Sequence, residues 1–409
     1  MTRTYYLGLD VARNKIRAAL AAFDGSLCWE KDLPVSAAGR DELLRQLKAR
    51  TPAPEQVLVL VEATGLLHLN WAAALTRAGY RVAAINPLIA RRLYLRLPNV
   101  LRESKTDPID ARGLCRIGRE RGEALLALYG FGLRAAQVSL QRLQTVRQAL
   151  RRTLTNLKKS YRSLLDLSFP ELSNLLEVDG VGIRQLLLEA PTPAAIARKR
   201  LSTLQKNWML RAKAKALKEL ASNSIADPKL AEASAPALRA LLTALSESEA
   251  RLRAIDRTIA ALSSQAIDPE QRQLLETIPG FGPILALQVL SWLPAEILHS
   301  GSRRKAAARL QAFMGNDPRL KESGQYKGQT KMSKRGVAAL RTAFFQAAFS
   351  ASQSDPELRA FYLRKRAQGK EHKVVLSHLM RILTRRLVAI LRSQQPYRPL
   401  ELAPLKNAA

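Results

Sequence analysis

Apolar residues come in short unbroken runs at the start of the chain and in spaced seams further on, and this change of period divides it. Tyr5–Leu9 is an apolar run that reads as a strand and stops at Asp10. Lys15–Phe23 and Leu27–Leu33 flank Asp24-Gly25, a turn pair that predicts a hairpin. Glu42–Arg50 has helical spacing, and Thr51-Pro52-Ala53-Pro54 breaks it. Val57–Val61 is a continuous β-branched and leucine run, as a central strand buried on both faces requires, and Glu62 ends it. Leu66–Arg77 is helical up to Gly79, Arg81–Ile85 is a short strand, and Asn86-Pro87 opens a helical stretch through Arg96. A strand, a hairpin, then strands alternating with helices predict a mixed sheet with helices on its faces.

From about Gln137 the period becomes helical. Leu143, Val146, Leu150, Leu154, Leu157 and Tyr161 form one seam. Leu238, Leu241, Leu245, Ser248, Leu252, Ile255, Ile259 and Leu262 form a second, in a heptad register with one small polar residue. Two long helices joined by an insertion predict a helical hairpin or coiled-coil arm that could also dimerise. Between them Phe169-Pro170, Asp179-Gly180-Val181-Gly182 and Pro191-Thr192-Pro193 break the pattern, and the stretch reads as an irregular structural spacer. Arg147, Arg151, Arg152, Lys158, Lys159 and Arg162 on the first helix read equally as a solvated face or a phosphate-contacting one. The divisions expected are an α/β domain over 1–125, a helical arm with its insertion over 126–270, a basic, mainly helical domain over 271–400, and a tail over 401–409.

Charge narrows the partners. With 66 Lys+Arg against 34 Asp+Glu in 409 residues, the formal charge of +32 implies a polyanion, nucleic acid before an anionic membrane surface. No apolar stretch approaches the ~20 residues of a spanning helix. Met1-Thr2-Arg3-Thr4 leads into a strand without a signal-peptide pattern. Two cysteines, Cys28 and Cys115, and four scattered histidines make neither a disulfide framework nor a zinc site, so a reducing, cytoplasmic compartment is expected.

Four carboxylates carry the candidate chemistry. Asp10 and Glu62 end apolar runs, at the carboxyl ends of strands where α/β sheets place ligands. Asp107 and Asp110, in Lys105-Thr106-Asp107-Pro108-Ile109-Asp110-Ala111, are three apart and share one helix face. Together they form an all-oxygen cage suited to Mg²⁺ (or Mn²⁺), and in so basic a chain such a cage suits phosphodiester chemistry on nucleic acid. Each residue has a plainer reading. Asp10 alone reads as a strand-end turn former, and Asp107 as the cap of a helix with Pro108 at its first position. Glu62 is harder to dismiss, since a carboxylate after four apolar residues needs a partner or a cation. Lys105 is either a solvated lysine or one that steadies phosphate.

Towards the C-terminus, Ile278-Pro279-Gly280-Phe281-Gly282-Pro283 feeds the helical Ile284–Trp292, a turn that presents backbone N–H groups to phosphate or merely joins packed helices. Residues 303–341 then carry eleven Lys/Arg (Arg303, Arg304, Lys305, Arg309, Arg319, Lys321, Lys327, Lys331, Lys334, Arg335, Arg341) against Asp317 and Glu322. Positive loops with glycines and one aromatic, Tyr326, fit contact with a nucleic-acid backbone. The amphipathic, basic helices Glu357–Gln368 and His372–Arg392 extend that surface.

In this order, Gly8-x-Asp10, Glu62-Ala63-Thr64-Gly65, Asn86-Pro87 and Lys105-Thr106-Asp107-x-x-Asp110-Ala111 resemble the RuvC-like half of the DEDD-type insertion-sequence transposases, the IS-one-ten family with its related Piv-type site-specific DNA invertases. The second half is similar too. Ile278–Pro283 resembles the family's helix–hairpin–helix, and Phe313-Met314-Gly315-Asn316-Asp317-Pro318-Arg319 its Gly-Leu-x-Pro-Arg segment, with Asn316 in place of leucine. Ser323-Gly324, Ser333-Lys334-Arg335-Gly336 and Leu340-Arg341 follow in the expected order. The match is weakest over 165–270, where this chain is longer than typical.

The resemblance implies an α/β plus α architecture: a RuvC/RNase H-like mixed-sheet domain, a coiled-coil arm, and a helical domain with a helix–hairpin–helix. It implies an RNA-guided DNA recombinase in a bacterial, nucleoid-associated setting. A structured non-coding bridge RNA pairs with donor and target DNA, and dimers join into a tetramer that shares active sites between subunits. Carried onto this sequence, Asp10, Glu62, Asp107 and Asp110 would hold the metal and Ser323 would be the nucleophile, leaving a phosphoserine. From charge and turn chemistry, and not from the resemblance, Lys105, Gly280, Gly282, Arg303, Arg304, Lys305, Arg319, Lys327, Lys331, Lys334, Arg335 and Arg341 are expected to contact nucleic acid. Taken as residues alone, Ser323 also reads as an ordinary turn serine, and Ser333 is its rival. The alternatives are a metal-dependent nuclease or junction resolvase that uses water, and a non-catalytic nucleic-acid scaffold.

Overall fold

β1 (Tyr5–Val11), β2 (Lys15–Ala21) and β3 (Leu27–Pro34) form an antiparallel meander closed at the Asp24-Gly25 turn. The computed structural model describes residues 4–63, 65–94, 107–132, 135–207, 210–319, 322–323, 326–327 and 331–399; the side chains of 88, 92, 107–110, 128, 319, 322–323, 326–327 and 331 lie outside that description. β1 runs past the point where its apolar run ends. Asp10 pairs with Arg17 and Val11 with Ile16, so Asp10 lies inside the ladder and not beyond it. α1 (Ala37–Arg50) starts five residues earlier than the apolar spacing predicts, because the Ser36 side chain accepts from the Gly39 N–H and caps it.

β4 (Val57–Glu62) pairs parallel with β1, and β5 (Arg81–Ile85) parallel with β4, giving the order β3-β2-β1-β4-β5. α2 (Leu67–Arg77), α3 (Pro87–Tyr94) and α4 (Asp107–Tyr129) follow; residues 95 and 96 of the predicted helix lie outside the described residues. Strand alternation sorts the side chains. Leu7, Leu9, Val57, Val59 and Val61 meet Leu43 and Leu47 of α1 and Trp71 and Leu75 of α2. Leu58 and Leu60 face the other way, against Ala90 of α3 and Leu114, Ile117 and Leu125 of α4. β3 bears exposed Lys31 and Asp32, as an edge strand protected from further pairing should.

This sheet belongs to one of two compact units, formed by the chain up to Gln137 and from Ile267 onward; the other is Val138–Ala266. The long helices are α5 (Ala135–Ser168) and α11 (Pro228–Ala266). Within the second unit the stretch between them, which the breaks in period mark as an irregular spacer, folds into α6 (Leu172–Leu175), α7 (Val181–Glu189), α8 (Pro193–Arg198), α9 (Leu201–Lys206) and α10 (Ala214–Ser222). Phe169, Leu172, Ile183, Leu187, Ile196, Leu204 and Leu217 form a core with Tyr161 and Leu165 of α5 and Leu238, Leu242 and Leu245 of α11. Helices of four to nine residues are too short to show a period, which is why the sequence concealed them. Along the heptad seam of α11, Leu238, Leu245 and Ile259 are buried, while Leu241, Leu252, Ile255 and Leu262 remain half-buried.

The C-terminal part of the first unit is helical: α12 (Pro269–Glu276), α13 (Pro283–Trp292), α14 (Ala295–His299), α15 (Arg303–Met314), α16 (Ala338–Ser354), α17 (Pro356–Ala367) and α18 (His372–Ser393). Its core gathers Ile278, Phe281, Leu310, Met314, Phe344, Leu376, Leu383 and Leu387. α14 packs on α4, and Gln137 Nε2 donates to the Ser291 carbonyl at 2.9 Å. Between α15 and α16 lie four two-residue strands, β6 (Pro318–Arg319), β7 (Glu322–Ser323), β8 (Tyr326–Lys327) and β9 (Lys331–Met332).

Candidate active site and nucleic-acid surface

Asp10 and Glu62 stand one step beyond Leu9 and Val61, the last residues paired across β1 and β4. Adjacent strands are about 4.8 Å apart, so these two backbones are neighbours at the carboxyl end of the sheet. Leu9 and Val61 point to the α1–α2 side, and alternation therefore turns Asp10 and Glu62 to the side of α4. Both side chains are half-buried and both have interaction partners.

α4 lies antiparallel to these strands. A Cβ on Gly8 would fall 2.0 Å from the Ala111 carbonyl oxygen, one on Gly118 2.7 Å from Leu60 Cδ1, and one on Gly122 2.8 Å from Leu58 Cδ1. The helix thus begins at the carboxyl end of β1 and β4 and descends along them, and the absence of side chains at these glycines lets it sit that close. Ala111 directly follows the turn bearing Asp107 and Asp110, so the backbone of that turn is anchored two residues from Asp10 on the same face. The side chains of Asp107 and Asp110 lie outside the described residues, as does the whole of Lys105.

Residues that sequence reasoning passed over hold this turn in place. Glu30 on β3 accepts two hydrogen bonds from Arg112, at 2.6 Å from Nε and 2.7 Å from Nη2, and one at 2.6 Å from Arg17. The Arg112 hydrogen bonds, with the charge of Arg17, hold the Glu30 carboxyl below its usual range against the opposing effect of burial. Nothing in the sequence signals a pairing across 82 residues. Cys115, one turn on, is wedged between the Ala19 carbonyl (3.0 Å) and the Tyr6 carbonyl (3.3 Å), and burial pushes its thiol up to about 12.

Ser323 sits on a β-hairpin. β6 pairs with β9 (Pro318↔Met332, Arg319↔Lys331) and β7 with β8 (Glu322↔Lys327, Ser323↔Tyr326), which leaves Gly324-Gln325 between Ser323 and its partner. The neck is closed by Ser333, whose hydroxyl donates to the Asp317 carboxylate and whose N–H donates to the Asp317 carbonyl at 2.9 Å. Lys334 adopts φ 53°, a conformation costly for a side-chain-bearing residue, where Gly315 and Gly336 approach too closely to admit a Cβ. Asn316, at the position where the family motif has leucine, is buried and donates to the Ser377 carbonyl at 3.3 Å. The side chains of Ser323, Arg319, Lys327 and Lys331 lie outside the described residues.

The other expected nucleic-acid contacts fall in different surroundings. Arg303, Arg304 and Lys305 form the exposed first turn of α15, which Ser302 caps and which holds no acidic residue. Cations at a helix N-terminus oppose the helix dipole, so folding alone does not favour them there. Gly280 (φ 95°) presses on the Ala347 carbonyl, while Phe281 is buried edge-on to Phe344 at 5.3 Å. Gly280 is therefore a packing glycine. A Cβ on Gly282 would meet nothing within 4 Å, so that glycine leaves the start of α13 open. Lys334 and Arg335 are exposed. Arg341 is half-buried and donates to the Met314 carbonyl at 2.9 Å, closing the end of α15. No helix among the described residues is long and apolar enough to cross a membrane.

Strand order 3-2-1-4-5, antiparallel through the first three and parallel beyond, with helices on both faces, makes this a mixed-sheet α/β domain. A solved chain described as "T. thermophilus RuvC in complex with Holliday junction substrate" overlaps 30% of this chain and 96% of its own at 15% identity, with a TM-score of 0.22. Residues 7–170 match the DEDD-type IS110 transposase model, and residues 272–363 the model described as the transposase IS116/IS110/IS902 family. The transposase assigned to the IS117 mini-circle of Streptomyces coelicolor is 29% identical over 99% of this chain and 98% of its own. The 43.6 kDa protein of insertion element IS110 from the same organism is 28% identical over 95% and 94%. The chain belongs to the IS116/IS110/IS902 family of transposases and is a DNA transposase or recombinase. All four carboxylates lie within the first matched segment and Ser323 within the second.

Proposed function

We propose that this transposase cuts and rejoins donor and target DNA through a serine ester, with Ser323 as nucleophile and Asp10, Glu62, Asp107 and Asp110 as the ligands of a divalent cation. The observation that carries the reading is the docking of α4 on Gly8, which brings the turn of Asp107 and Asp110 to the strand ends that bear Asp10 and Glu62. A donor set of hard carboxylate oxygens at the mouth of a sheet fits Mg²⁺ or Mn²⁺. Such an ion would supply charge neutralisation at the scissile phosphate and favour departure of the 3′-oxygen.

The chain's own groups perform the rest. The Ser323 hydroxyl attacks phosphorus and gives up its proton; the bond from phosphorus to the 3′-oxygen breaks, and the 3′-oxygen leaves as a hydroxyl. A phosphoserine ester remains, and a new 3′-hydroxyl reverses the step on the exchanged strand, restoring the serine. The ester conserves the energy of the phosphodiester, so no nucleotide cofactor is required. The clamp of Asp317 and Ser333 holds the neck of the hairpin that carries Ser323. Cations of the α15 first turn and the open start of α13 bind backbone phosphates. A guide RNA pairing with both DNA partners, and a dimer that doubles into a tetramer with shared active sites, complete the reading. The half-buried Leu241, Leu252, Ile255 and Leu262 offer an apolar seam for such pairing.

Ser333 is the rival nucleophile, favoured by its bond to a carboxylate. Labelled donor DNA incubated with Mg²⁺ and run under denaturing conditions separates the readings. Ser323→Ala should abolish covalent protein–DNA adducts, Ser333→Ala should leave them mapped to Ser323, and Asp10→Asn or Glu62→Gln should remove cleavage. Free cut ends from Ser323→Ala would establish water as the nucleophile. Unchanged DNA products with Asp10→Asn and Glu62→Gln would leave the cage without a role. Sequencing RNA purified with the protein tests the guide: a defined structured transcript supports it, and random cellular RNA removes it.

A further inference from the structure

The second unit carries a concentration of charge that neither family model covers, since the matched segments leave out residues 171–271. Residues 198–218 hold eight Lys/Arg and no Asp or Glu. They are not strung along an extended arm. α8 and α9 both pack on α10, around Leu204, Leu210, Ala214 and Leu217, and the cations lie on the outside of that small cluster. Like charges gathered on so small a surface repel one another and are not placed there by folding.

Compensation from within the chain is slight. Among the described residues, Lys199 alone of the eight pairs with a carboxylate, Glu189 at 2.8 Å. Elsewhere in this unit Arg147 pairs with Asp256, Arg162 with Asp179 and Arg184 with Glu249. Lys213 and Lys218 serve the fold, donating to the Leu175 and Lys199 carbonyls at 2.6 and 2.9 Å. Arg200, Lys206 and Lys215 are exposed and make no such bond among the described residues. Beside them a groove of about 440 Å³ has an apolar floor of Val181, Leu186, Leu204 and Leu210 and a rim of Gln185, Thr203, Asn207 and Lys206, with the Lys199–Glu189 pair at its edge.

We propose that this basic face of the helical insert binds the phosphodiester backbone of duplex DNA without regard to base sequence. The exposed Arg200, Lys206 and Lys215 with the neighbouring Gln185, Thr203 and Asn207 supply charge and short polar groups that grip phosphates and carry no base code. The face gives the transposase a hold on DNA outside the site of strand exchange.

The test uses the full chain without divalent metal, so that binding is read apart from any serine chemistry. The affinity of the triple variant R200Q/K206Q/K215Q for a fluorescent duplex of arbitrary sequence is measured from low to moderate salt. Each phosphate left without its cation lowers the slope of log K against log salt by about 0.9, so the slope should fall by about 2 to 3 and affinity near 0.15 M salt by about ten- to a hundredfold. The α11 variant R251Q/R253Q/R257Q removes equal charge and should weaken binding clearly less. An unaltered slope in the insert variant overturns the proposal. So does an equal loss of affinity in both variants, or a loss confined to structured RNA. Matching thermal melts show that each variant is folded, and adduct formation on Ser323 is scored separately.

Discussion

Gly8→Ala tests whether the docking of α4 governs the chemistry. The new methyl carbon would lie 2.0 Å from the Ala111 carbonyl oxygen and 2.9 Å from Leu114 Cβ, where ordinary contact begins at 3.4 Å. The oxygen is helix backbone and cannot swing aside, so the first turns of α4 must retreat by about 1.4 Å. Overpacking of this kind costs about 1–3 kcal/mol. Displacing reacting groups by about 1 Å costs on the order of a hundredfold in rate. The variant is therefore expected to melt a few degrees lower yet remain folded, and to cut labelled donor DNA in Mg²⁺ about a hundredfold more slowly. Gly132→Ala, where a Cβ would meet nothing within 4 Å, is the control and should match the parent in both assays. A Gly8→Ala protein that melts and cleaves like the parent would refute the view that this turn is pinned to the strand ends and that its position matters.

Glu30→Gln should cost about 1 kcal/mol at neutral pH, a modest value because Arg112 is half exposed and water screens it. The folded carboxyl titrates below its ordinary 4.5, so its contribution is fully present above that pH and is lost as pH falls through the lower folded value. Urea melts of parent and variant should accordingly converge on acidification. Asp355→Ala should destabilise by about 3 kcal/mol by denaturant titration: it removes the Leu358 N–H cap and leaves the largely buried Arg386, now 2.6 Å from Asp355, with the more exposed Glu357 as its carboxylate and the Tyr397 ring beneath it. Asp355→Asn, which can keep the cap, should cost less. A chromogenic disulfide reagent should titrate Cys28 in the native protein and reach Cys115 only on unfolding, since burial pushes the latter to about 12.

Much of the sheet was legible along the chain because its signals are local. Val57–Val61 is apolar throughout because both faces of β4 are covered, and Asp24-Gly25 marks the hairpin turn. The strand ends that bear Asp10 and Glu62 follow from the same runs, although the ladder carries β1 one residue past Asp10. Other features depend on partners far away in sequence. Gly118 and Gly122 weaken α4 as an isolated helix, and only Leu60 and Leu58 beneath them explain why no side chain fits there. Glu30 meets Arg112 across 82 residues, and Ser333 finds Asp317 across the hairpin neck. The insert's five short helices have no period to read, and they exist because Tyr161, Leu165 and Leu238 complete their core. Hydrophobic period and turn chemistry act over a few residues and can be read in one dimension. Close approach, pairing of distant charges and a core assembled from short pieces arise only once the chain has closed on itself, and these are what bring the carboxylate-bearing turn to its strands.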